Sequence, residues 1–151
     1  MSTIKDIVYE VMEKGFNQGD LSVIDKTTAT EAVDHQEPLG TEFIAHLKDV
    51  IVMLRTAFPD LHFEIHEVIA EGETVAFRST MTGTHLGELR TGGMGVFNGG
   101  PKVLPPTGRQ ISVPHMHFVR VVNGKAYDLW HIMDTLALLG QLGAIPRPNP
   151  V

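Results

Sequence analysis

Apolar residues set the first half of the chain to a helical period. Ile4, Ile7, Val8, Val11, Met12 and Phe16 recur three or four residues apart, after a Ser2/Thr3 cap and before Gly19. This predicts an amphipathic helix with one buried stripe. A short second helix is expected over residues 21–26. Phe43, Ile44, Leu47, Val50, Ile51, Leu54 and Phe58 form a second stripe, which Pro59 ends because proline lacks the N–H that a helix interior needs. Beyond it the period shortens to two. Residues 61–72 and 73–85 read as strands joined near Gly72, and residues 109–122 and 125–134 as strands joined by Asn123-Gly124. Asn-Gly is a strong hairpin signal because both turn residues must take positive φ. Residues 136–143 give a short terminal helix, and the proline-rich tail from 144 to 151 cannot be helical.

Helices followed by antiparallel strands predict an α+β domain with helices packed on one face of a curved sheet. No repeat or boundary interrupts the pattern, so residues 1–151 are expected to form one domain. The segment from Leu89 to Gly108 stands apart. It is rich in Gly and Pro yet carries Met94, Val96, Phe97, Val103 and Leu104. A lid over a pocket, a dimer arm and a disordered insertion all fit that composition.

Composition narrows the partners. The chain is 42% hydrophobic and 20% charged, with a net charge of −6 and its cations scattered singly. Neither nucleic acid nor an anionic membrane surface is an expected partner, since each needs a basic patch. There is no cysteine, which removes disulfides, thiolate nucleophiles and thiolate metal sites. Charges punctuate the first sixteen residues, and no later apolar run is long enough to span a bilayer, so a cytoplasmic protein is expected.

The chain has eight histidines, and the stretch HMHFVRVVNGKAYDLWHIMD holds three of them, two aspartates and the only tryptophan. A two-residue turn at Asn123-Gly124 would set His117 opposite Trp130 and His115 opposite Ile132. One face would then carry His115, His117, Asp128, Trp130 and, if pairing reaches so far, Asp134. The other would carry Met116, Phe118, Arg120, Tyr127, Leu129 and His131. A bulge would reverse the parity and bring His131 to the first face. Imidazole and carboxylate within hydrogen-bonding reach make an acid–base pair near neutral pH, and Trp130 would offer a flat apolar surface.

These residues, with FNQGDLSVID, DHQEPLG, AFPDLHFEIHEVIAEGETVAFR, GTHLGE, PPTGRQI and the closing VRVVNGKAYDLWHIMDTLALLGQLG, make the chain resemble the SnoaL-like polyketide cyclases, in particular their ester cyclase branch. The likeness covers nearly the whole chain. It implies a cone-shaped α+β fold of the nuclear-transport-factor-2-like type, a pocket between sheet and helices, a homodimer, and a small-molecule substrate. It also implies acid–base work by a histidine on the penultimate strand and an aspartate on the last, with no metal or cofactor. The family histidine falls on His117, whereas the aspartate position holds His131. Asp134, three residues on, matches an acidic position of the wider family, and Asp128 and Trp130 match as well. The catalytic candidates are therefore His117, Asp134 and His131. Phe16, His35, His115, Asp128 and Trp130 are candidates for substrate binding.

Other signals carry less. His115 and His117 alternate as a metal pair would, but no carboxylate follows between Phe118 and Val122, and a third ligand would have to come from His85 or Asp128. No metal is expected. His62 and His66 share a strand face with Glu64 that reads as solvated. Arg78 would bind a substrate carboxylate only if it pointed inward. Ser79 and Ser112 lack a nucleophile elbow. The expectation is a cofactor-independent cyclase or isomerase for a small, largely apolar carbonyl or ester compound. A hydrolase or dehydratase using the same pocket, and a non-catalytic carrier of a hydrophobic ligand, are the rival readings.

Overall fold

A computed structural model of the chain describes residues 3–91 and 102–146. Helix α1 (Ile4–Glu10) starts at Thr3, whose hydroxyl accepts from the Asp6 N–H while the Asp6 carboxylate accepts from the Thr3 N–H at 2.6 Å. This reciprocal cap satisfies two of the donors a helix start leaves free. The helix runs on into a wider π-helical turn over Val11–Asn17, and α2 spans Ser22–Thr27. Strand β1 (Thr28–Asp34) follows, then α3 (Phe43–Ala57). Strands β2 (His62–Glu71) and β3 (Thr74–Thr84) form the first hairpin. The short pair β4 (Leu89–Arg90) and β5 (Val103–Leu104) precedes the long hairpin of β6 (Gln110–Val122) and β7 (Lys125–Met133), and α4 (Thr135–Gln141) closes the fold.

The main sheet runs β1-β7-β6-β3-β2 and is open, with β1 and β2 at its edges. Its last four strands pair antiparallel, as the alternating pattern requires. Strand β1 had no counterpart in the sequence pattern. It pairs parallel with β7, making the sheet mixed rather than antiparallel throughout. Burial alternates strictly along β6, with Ile111, Val113, His117 and Val121 turned in and Met116 and Phe118 turned out. The inner face meets α1, the π-helical turn and α3 through Met12, Leu54, Phe58, Phe63 and Phe77. Burying side chains of this kind contributes roughly 1.5–3 kcal/mol each.

The ends of the Gly/Pro-rich segment pair as β4 and β5, burying Leu89 and Leu104. Its centre, 92–101, lies outside the described residues, as does 147–151 of the tail. No described residue from 89 to 108 lines the cavity treated below. Among the described residues no helix is long and apolar enough to cross a membrane.

Candidate functional site

The turn at Asn123-Gly124 has φ of 49° and 76°, the positive pair that a tight hairpin demands. Val122 faces Lys125 and Val121 faces Ala126, but Arg120 then faces Asp128. Tyr127 is the extra residue, a bulge on β7 three residues past the turn. It reverses the parity of everything beyond it. His117 therefore faces His131 rather than Trp130, and His115 faces Met133 rather than Ile132. Three imidazoles share the inner face, and Asp128 and Trp130 move to the outer one.

The inner face closes a cavity of about 350 Å³ against the helices. Its walls are mostly apolar, including Met12, Phe16, Leu54, Phe63, Phe77 and Leu129. Phe16 is placed by the π-helical turn, which widens the helix by one residue and rests its ring edge-on against Phe63, 5.1 Å between centroids. Polar groups gather at one region of the lining: Asp34, Glu37, His46, His115, His117 and His131.

The hydrogen bonds among them set the protonation pattern. His131 Nε2 lies 3.0 Å from Asp34 Oδ2, and His115 Nε2 lies 3.2 Å from His131 Nδ1. A carboxylate only accepts, so His131 carries its proton on Nε2 and offers a lone pair at Nδ1, to which His115 Nε2–H donates. The Gln36 N–H donates to Asp34 Oδ1 at 2.9 Å. Burial alone pushes the Asp34 carboxyl up. The bonds from His131 and Gln36, with the charges of His131 and His46, outweigh that and hold it below its ordinary value. A second pair, His46 Nε2 to Glu37 Oε1 at 3.1 Å, adjoins the first.

His117 is different. It is 8% exposed, its ring stacks on Phe77 at 4.3 Å between centroids, and its Nδ1 has no hydrogen-bond partner. A buried polar atom left so costs about 1–3 kcal/mol. Burial, and then the neighbouring His115 and His131, push its pKa well below the ordinary imidazole value. His115, whose Nδ1 is also unpartnered, is driven by burial and the His131 charge to about 3. Both rings are neutral at physiological pH.

The other expected residues lie elsewhere. Asp134 is exposed and caps α4, its carboxylate accepting from Ala137 N–H at 3.0 Å, and it is not part of the cavity lining. It does not meet His117. His35, Asp128 and Trp130 form an outer-face group: His35 Nε2 is 2.8 Å from Asp128 Oδ1 and stacks on Trp130 at 4.5 Å. Arg120 Nε donates to Asp128 Oδ2 at 2.5 Å. None of these three lines the cavity. Arg78 pairs with Glu67 on the exposed face of the sheet, and His85 is fully buried against Thr107. Asp34, Glu37 and His46 escaped the sequence reading. The DHQEP stretch flags the first two in retrospect, but only β1's parallel pairing carries them to the histidines. Two groups have ligand atoms within 4.8 Å of one another: His115 with His117 and His131, and Asp34 with Glu37 and His46.

Known proteins share this arrangement of fold and chain. The chain is 30% identical over 160 residues to the aklanonic acid methyl ester cyclase DnrD of Streptomyces peucetius, covering 99% of this chain and 97% of that one. TsrD from Streptomyces laurentii superposes with a TM-score of 0.77 at 22% identity, covering 94% and 96% of the two chains. A SnoaL-like polyketide cyclase from Agrobacterium tumefaciens gives 0.69 at 22% identity, covering 95% and 100%. Those two likenesses establish the fold. The sequence pattern of one family matches residues 6–142, nearly the full length, and the chain belongs to the SnoaL-like polyketide cyclases.

Proposed function

We propose that the protein is a cyclase or isomerase acting on a small, largely apolar carbonyl or ester compound of polyketide type. The observation that carries this reading is the His131–Asp34 pair, 3.0 Å apart, set among the apolar walls of a cavity of about 350 Å³. Ring closure onto a carbonyl removes a proton from an activated carbon and delivers one to the developing alkoxide. An imidazole whose tautomer a carboxylate fixes can do both in turn. His131 thus takes the proton-carrying part in place of the aspartate usual in the family, and Asp34 orients it in the part expected of Asp134. His117 and His115, held neutral with depressed basicity, are weak proton acceptors and serve better to shape and polarise the site. Phe16, Phe63 and Phe77 hold the apolar body of the substrate and exclude water, which strengthens the polar contacts.

The substrate of the cyclase relative, aklanonic acid methyl ester, is the first compound to try, followed by smaller β-keto esters. A cyclase converts it to a product of unchanged mass with a new ring. Incorporation of oxygen from H₂¹⁸O would instead mark a hydrolase, loss of water a dehydratase, and tight retention without turnover a carrier. Any of these three outcomes replaces the proposal.

The outer face of the sheet supports a homodimer. Met116, Phe118, Trp130 and Ile132 stand 57%, 54%, 40% and 73% exposed on adjoining strands. Monomers rarely leave a contiguous apolar patch of that kind uncovered. A second copy of the chain, sheet against sheet, is the occupant we propose.

A further inference from the structure

We propose that His115, His117 and His131 form a binding site for a first-row divalent transition ion of the zinc type, opening on the cavity. This goes beyond the proton-transfer reading, which describes the ion-free protein, since an ion on His131 Nδ1 takes the lone pair that would accept a proton.

Three observations converge. The first is spacing. An ion held by imidazoles at about 2.0–2.1 Å in tetrahedral geometry sets its ligand nitrogens about 3.3 Å apart. His115 Nε2 and His131 Nδ1 are 3.2 Å apart, and ligand atoms of all three rings lie within 4.8 Å of one another. The second is support. His131 gives its other nitrogen to Asp34, the carboxylate–histidine arrangement that fixes the tautomer a metal requires. Phe77 stacks on His117 and Phe63 packs beside His115, so the rings are held before any ion arrives. The third is His117 itself, buried with an unpartnered ring nitrogen in the midst of the group.

The ligand chemistry selects the ion. Three neutral imidazoles suit zinc, iron, nickel or copper and offer nothing to magnesium or calcium, which demand oxygen. Loading shifts the proton on His115 from Nε2 to Nδ1 and frees Nε2 for the ion, and no net proton leaves. His115 Nδ1 lacks a partner in either tautomer, so ligation adds no new unpaired atom there. Three protein ligands leave a fourth position for a substrate oxygen, where the ion would polarise a carbonyl. His46 with Glu37 remains beside it as the pair able to carry a proton. The other group of possible ligands, Asp34 with Glu37 and His46, is a poorer site because His131 and His46 already occupy both of its carboxylates.

The test uses the untagged full chain, stripped with chelator and then dialysed against zinc or cobalt(II), with bound metal counted per chain. The expected result is one ion per chain for either metal, a cobalt absorption spectrum characteristic of nitrogen ligands, and none retained with magnesium. Asp34→Asn, which removes only the support of His131, should weaken binding about 10- to 100-fold. His117→Asn and His131→Gln should weaken it at least as much, whereas the exposed His62→Ala should match the wild type. Each variant's melting temperature without metal reports whether it folds, and zinc held between the wild-type and variant dissociation constants should raise it for the wild type and His62→Ala but little for the others. Substoichiometric binding to the folded wild type overturns the site. So does binding that survives in folded His117→Asn and His131→Gln. The readout needs no substrate, so a metal-free result leaves the proposed cyclisation standing, and an inactive protein that holds one ion counts against the reaction alone.

Discussion

His131 Nε2 meets Asp34 Oδ2 at 3.0 Å across the parallel pair formed by the first and last strands of the sheet. The carboxylate fixes which imidazole nitrogen carries the proton and stabilises the imidazolium that forms when the ring accepts a second one. Asp34→Asn preserves the shape of this contact but not its charge. Turnover of the cyclised ester should fall about 10²-fold or more, with substrate binding little changed. Steady-state kinetics of the folded variant measure it, and a loss under about threefold would remove Asp34 and His131 from the chemistry.

Asp134 gives the opposite expectation. Its carboxylate accepts from Ala137 N–H at 3.0 Å and starts α4, whose Leu138 and Leu139 are buried in the core. Asp134→Ala should cost about 0.5–2 kcal/mol of stability by freeing that N–H. Asp134→Asn, still able to cap, should cost less. Urea midpoints read the stability. Turnover within about twofold of wild type is expected for both, because loss of a cap acts on folding rather than on the proton path. A tenfold fall would return Asp134 to the site.

Most of the framework was legible in the chain because it is local. The stripes of α1 and α3, the Asn123-Gly124 turn and the alternation along β6 are all set by residues a few positions apart. Two features were not legible, and both govern the site. Tyr127 reads as an ordinary strand residue, yet as a bulge it decides whether His131 or Trp130 faces the cavity. Its ring packs toward Ala29, Ala32 and Phe43, with the Arg120 guanidinium 5.3 Å from its centroid. Neither contact can be read from the hairpin alone. Strand β1 was missed because TATEAVD has little alternation and its partner on β7 lies about 95 residues further along the chain. Asp34 came with it. The site was thus half visible: the imidazoles from the sequence, their carboxylate only from the fold.

The outer face supplies a prediction independent of the cavity. Met116 and Phe118 lie on β6 and Trp130 and Ile132 on β7, and in the register Met116 faces Ile132 while Phe118 faces Trp130. If a second copy covers them, the protein should elute and scatter as twice its 16.6 kDa. Phe118→Glu with Ile132→Glu would bury charge without a partner at that interface and should give monomers, since isolated charges strongly resist desolvation. Light scattering at several concentrations checks this. A wild type that is monomeric at every concentration removes the proposed dimer.

Stability should fall as the solution is made mildly acid. In the unfolded chain His115 and His117 take up a proton at the ordinary imidazole value near 6.5. In the fold, burial holds the first neutral down to about 3 and the second well below its usual value. Between roughly pH 6.5 and pH 3 the unfolded state therefore binds more protons, and stability rises with pH there. It is fully present above about 6.5 and is lost on acidification, by at most about 1.4 kcal/mol per pH unit for each histidine. The lowered Asp34 carboxyl acts in the same direction, but only as the pH falls below its ordinary value of 3.8, so comparing about pH 7 with about pH 5 isolates the imidazoles. Urea unfolding at those two values should show a marked drop for the wild type and a shallower one for His117→Phe, which keeps a ring in the pocket and removes the titrating group. Equal slopes for the two proteins would mean that His117 charges as readily in the fold as out of it, which its burial against Phe77 forbids.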